Sequence, residues 1–180
     1  MRLSFENKKR GFTLVELVTA LGLFIAIMTI SLGSILGIFA ANSKSRSLKT
    51  VMGNLNLTVE TMSKEMRYGK KYHCGAGTLT TPQDCANGDT LVSFLSTEGE
   101  QITYRFINNT IEKKVESGEY VGISAPEAVI DSAQFYVFGA TVGDTFQPKM
   151  IVKIQGHVDS GKSRSDFTLQ TMVSQRSIDI

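Results

Sequence analysis

Among residues whose chemistry could matter, Glu16 is the least at home in its surroundings. No charged side chain follows it from Leu17 through Ser43. A carboxylate in such a run costs about 2.5–3.5 kcal/mol at mid-bilayer, less near the interface, so it calls for a partner. Cys74 and Cys85 bracket the polar stretch CGAGTLTTPQDC, where two close cysteines suit a disulfide in an oxidising compartment. Free thiols and a metal site are the alternatives, and for a metal only His73 lies near. His73 and His157 form no recognisable acid and nucleophile arrangement, and the many Ser and Thr residues, without a base, say nothing about hydrolysis. Gly75-Ala76-Gly77 lacks the helix and lysine of a phosphate loop. Asp84, Asn87 and Asp89 are spaced like calcium ligands but lack a closing glutamate. The expectation is no enzyme, no cofactor and no metal site.

The elements that position these residues differ sharply along the chain. Its 180 residues suffice for one domain and an appendage. Lys and Arg number 19 against 17 Asp and Glu, so a net charge of +2 gives the head no electrostatic reason to bind nucleic acid. Residues 1–11 form a basic leader, with Arg2, Lys8, Lys9 and Arg10 against Glu6. Residues 12–43 are predicted to cross the membrane as a helix. The 27 uncharged residues from Leu17 to Ser43, at about 1.5 Å each, exceed the ~30 Å hydrocarbon core. The basic leader should stay cytoplasmic and the remainder lie outside. A secretory signal peptide fits poorly: its apolar stretch is about 7–15 residues and ends at a small-x-small site, whereas Ile38-Phe39 precede Ala40-Ala41 here. A plain single-span anchor explains length and orientation but leaves Glu16 unexplained.

Past the span, Leu48, Val51, Met52, Leu55, Val59, Met62 and Met66 recur every three or four residues. That stripe predicts an amphipathic continuation of the helix over residues 44–69, packed on a sheet. Lys49, Asn54, Asn56, Glu60, Lys64, Glu65 and Arg67 lie largely off the stripe, and Arg67, Lys70 and Lys71 read as a solvated helix end. Residues 70–180 then read as an extracytoplasmic head. Thr90–Leu95, Gln101–Asn108, Thr110–Glu116, Ala128–Phe138, Lys149–Val158 and Ser165–Gln175 are predicted strands, with a hairpin turn at Asn108-Asn109. The fold class is α+β: one long helix on an antiparallel sheet. The cysteines bracket the passage from helix to sheet.

The run Lys8-Lys9-Arg10-Gly11-Phe12-Thr13-Leu14-Val15-Glu16-Leu17 resembles the class III signal of type IV prepilins and type II secretion pseudopilins. It combines a basic leader, a Gly-Phe junction, a glutamate at one spacing and an unbroken apolar span. The resemblance implies cleavage between Gly11 and Phe12 by a prepilin peptidase, which also methylates the new amine of Phe12. It implies a pilin-like fold, retention of the helix as a membrane anchor, and Glu16 as the fifth mature residue. Glu16 could then meet the cationic amine of a neighbouring subunit and set axial register, because an unpaired charge in low dielectric is costly. The implied partners are the peptidase/methyltransferase, other pilin or pseudopilin subunits, an inner-membrane assembly platform and the lipid bilayer. Gly33-x-x-x-Gly37, with Gly22, suits close helix approach. Many pilins carry a proline near the position of Gly33, and this chain does not. The stretch LNLTVETMSKEMR from Leu55 to Arg67, with Ile102-Thr-Tyr-Arg-Phe, resembles J-type minor pseudopilins and W-type minor pilins. That implies a minor subunit of a pseudopilus or pilus. A membrane-anchored enzyme or binding domain is the alternative reading.

Overall fold

The computed structural model describes residues 11–77, 81–141, 143, 146–160 and 163–176. It places them in one helix, α1 (Leu14–Tyr68), followed by nine strands. These are β1 (Lys70–Cys74), β2 (Cys85–Asp89), β3 (Leu91–Leu95), β4 (Gln101–Ile107), β5 (Thr110–Val115), β6 (Val121–Gly122), β7 (Ala128–Phe138), β8 (Lys149–Ser160) and β9 (Ser163–Ser174). The arrangement is α+β, as the two hydrophobic periodicities predict. The chain divides into two compact units, Met1–Ser43 and Lys44–Ile180.

In the second unit the predicted stripe faces inward. Val51, Leu55, Met62 and Met66 are buried, and Leu48, Met52 and Val59 pack against them at the margin. The helix stops where Gly69 passes beneath the ring of Phe94, a place with no room for a Cβ. Its last carbonyls are satisfied from afar. The Tyr72 hydroxyl donates to the carbonyls of Met66 and Gly69, each at 2.7 Å, and the Arg176 N–H donates to that of Arg67 at 2.8 Å. These bonds replace the intrahelical partners that every helix end lacks.

The strands form two sheets rather than one. The first has order β1-β3-β4-β5-β6 and the second β2-β7-β8-β9, with all strand pairs antiparallel. Asn108 and Asn109 turn β4 into β5 with φ of 49° and 59°, the left-handed pair that a tight hairpin needs and that asparagine tolerates. Asn109 also joins the sheets. Its side-chain amide donates to the Ile130 carbonyl at 2.9 Å, and its own carbonyl accepts the Ile130 N–H at 3.3 Å.

Strand β7 contains a register break between Ile130 and Ser132. Before it Ala128 and Ile130 point inward; after it Ala133, Phe135 and Val137 do. One extra residue thus moves the buried row from even to odd positions, the expected effect of a bulge on a period of two. Opposite the break Gly156 touches the Val129 carbonyl and the Phe167 ring so closely that no side chain would fit.

Candidate functional site

The N-terminal unit carries the residues singled out by the sequence. Gly11, Phe12 and Thr13 precede the helix, so the Gly11–Phe12 bond lies in non-helical chain. Thr13 caps α1: its hydroxyl accepts the Glu16 N–H at 3.3 Å, and its carbonyl accepts the Leu17 N–H at 3.2 Å. Glu16 is therefore the third helical residue, in the Thr-x-x-Glu spacing of a capping box. Its charge is also favoured by the positive end of the helix dipole. The Thr-x-x-Glu spacing is a helix-start signal present in the sequence itself, at the start of the apolar run. Lys8, Lys9 and Arg10 lie outside the described residues.

Beyond the cap, the helix surface is apolar on every side. Phe12 is 82% exposed, and large apolar side chains stay exposed through Phe39. The helix is long and apolar enough to cross a membrane by length and composition. Space is open beside Gly22, Gly33 and Gly37. Hydroxyls within this surface are satisfied by their own helix. Thr19, Thr29, Ser31 and Ser34 donate to the carbonyls of Val15, Ile25, Ile27 and Ile30 at 3.0, 2.8, 2.8 and 3.1 Å. Glu16 differs, because among the described residues its carboxylate has neither a hydrogen bond nor an ion pair.

In the head, Cys74 and Cys85 form a disulfide with Cα atoms 5.8 Å apart. The sequence suggested a loop, but the cysteines sit at the end of β1 and the start of β2. Since those strands belong to different sheets, the bridge ties one sheet to the other. His73 is buried, its Nδ1 within 2.6 Å of the Thr81 carbonyl. Asp84 accepts the N–H groups of Gly139 and Ala140 at 2.9 and 2.7 Å, and Asp89 accepts that of Leu91 at 3.1 Å. Both carboxylates thereby hold backbone. His157 lies 3.0 Å from Asp131, and Arg164 pairs with Asp166 at 2.7 Å. Contact with the Arg164 guanidinium lowers the Asp166 pKa, and the Asp166 partner raises that of Arg164. Among the described residues no group of three or more His, Cys, Asp or Glu is placed to hold a metal ion.

One residue lying off the apolar stripe of α1 nonetheless makes a contact across the fold. Glu65 faces the first sheet, where Tyr104 donates to one carboxylate oxygen and Lys113 to the other at 2.6 Å. Its partners lie 39 and 48 residues away, so helical spacing alone could not reveal them. Burial, the hydrogen bond to Glu65 and its negative charge all push the Tyr104 pKa upward. An open groove of about 490 Å³ beside these residues is lined by Leu57, Thr61, Tyr68 and Ile102 among others. No family model, no curated protein and no solved structure matches this chain.

Proposed function

We propose that the chain is a structural subunit of a type II secretion pseudopilus or type IV pilus, a minor subunit rather than the main repeating one. In this reading a prepilin peptidase cuts between Gly11 and Phe12 and methylates Phe12. The helix then anchors the subunit in the cytoplasmic membrane, with the leader side cytoplasmic and the head extracytoplasmic. The observation that carries the proposal is the Glu16 carboxylate, which lies on an otherwise apolar surface and has no hydrogen bond or ion pair among the described residues. The hydroxyls of Thr19, Thr29, Ser31 and Ser34 are satisfied within the helix, whereas a carboxylate entering an apolar medium is stabilised by a cationic partner. The α-amino group of a neighbouring subunit, newly formed at Phe12, is such a cation. Support also comes from the head's disulfide, which belongs in an oxidising compartment.

Two measurements test this. Mass spectrometry of the mature chain should find a methylated Phe12 at its N-terminus; an intact Met1 or a start near Asn42 would overturn the reading. Glu16→Ala should leave membrane insertion intact and abolish or misregister incorporation into filaments. Unimpaired incorporation would remove the role given to Glu16.

A further inference from the structure

The two sheets have four edges, and three are blunted. Strand β1 is five residues long with a register break between Lys70 and His73. Strand β6 has two residues, and β2 has five with a break between Cys85 and Asp89. Short, kinked edges of this kind resist pairing with another chain. Strand β9 is different. Its 12 residues pair with β8 without a break, from Lys149↔Ser174 to Ser160↔Ser163. No other strand adjoins its far side among the described residues.

The sequence of β9 leaves that edge unguarded. Phe167 through Gln175, FTLQTMVSQ, contains no charge, glycine or proline, the composition that favours strand addition. Arg164 and Asp166 are the only charges on the described side chains of the strand, and they pair with each other. On its outer face Thr168 and Gln170 are exposed, and Met172 is 63% exposed. On its inner face Leu169 joins the core yet stays half-buried. A further strand would cover it and satisfy the outward N–H and C=O groups.

We propose that a second copy of this chain fills this edge, β9 against β9, antiparallel and centred on Thr168. That register sets no charge opposite a like charge. Arg164 would face Met172, Asp166 would face Gln170, and Thr168 would face Thr168, so no like charges meet. Phe167 would face Leu169 twice. Cross-strand Thr–Thr and aromatic–aliphatic pairs of this kind stabilise a sheet. The two-fold relation makes the contact self-limiting, a dimer rather than a chain of heads. This association is separate from assembly through Glu16.

The test uses the full chain in detergent, with its native disulfide intact. Thr168→Cys should form an oxidised cross-linked dimer. Gln155→Cys should not, although Gln155 lies beside Thr168 on the adjacent strand. A mixture of Arg164→Cys and Met172→Cys chains should cross-link, while Met172→Cys alone should not. Sedimentation of the unmodified chain should show a dimer that Thr168→Lys abolishes, because it sets two like charges opposite each other. Equal cross-linking of Thr168→Cys and Gln155→Cys would overturn the proposal, as would an unmodified chain that stays monomeric or a cross-link formed only to a different protein.

Discussion

At the scale of single residues, a carboxylate is defined by what it finds to bind. Glu16 and Glu65 sit on the same helix in opposite circumstances. Glu65 has a phenol and an ammonium group within reach, and so fastens α1 to β4 and β5. Its neighbour Tyr104 has a testable pH signature. Because its folded pKa is raised above the ordinary 10.0, the folded state keeps the phenol proton after the unfolded chain loses it. Stability is fully present below the unfolded value and falls as pH rises beyond it. The slope should approach about 1.4 kcal/mol per pH unit for this one proton. Urea midpoints measured at about pH 9 and about pH 11 should therefore fall more for the unmodified chain than for Tyr104→Phe. An equal fall in both would show that Tyr104 does not carry the effect.

At the scale of elements, the helix was the most legible part of the chain. All seven stripe residues pack in or against the core, because a period near 3.6 is a local property that survives without knowledge of its partner. Leu55, fully buried, should show this energetically: Leu55→Ala should cost about 2–5 kcal/mol in a denaturant titration, from lost transfer and a residual cavity. The hairpin at Asn108-Asn109 was equally readable from its turn chemistry. Less readable was that Asn109 also reaches Ile130. Asn109→Gly keeps the left-handed turn but removes that amide, so it should destabilise by about 0.5–1.5 kcal/mol, measured the same way. No loss would mean that the inter-sheet bond is energetically idle. Strands β1, β2 and β6 escaped the sequence for a physical reason. Cys-Ala-Asn-Gly-Asp contains no strong strand former, Lys-Lys opens β1, and β6 is only two residues long. Their conformation comes from pairing across the fold. The capping spacing at Thr13 was legible, whereas Glu65 became part of the helix–sheet contact only through residues distant in sequence.

At the scale of the whole molecule, the division into two sheets depends on long-range choices that no local pattern encodes. Strand β2 leaves β1 after a short excursion and pairs with β7, with Cys85 opposite Val137. The disulfide spans that excursion, at a sequence separation of 11. Replacing both cysteines by serine should lower stability by about 3 kcal/mol in the chain-entropy model, read from the thermal or denaturant midpoint. A smaller loss would indicate that strand pairing already holds the junction. The bridge also bears on the order in which the head is built. Strand β2 emerges long before its partner β7, and until then it has no sheet to join. Oxidation of Cys74 and Cys85 before β7 arrives would moor it beside β1. A late, distant search then becomes a short one, and the second sheet has a berth ready when the rest of the chain arrives.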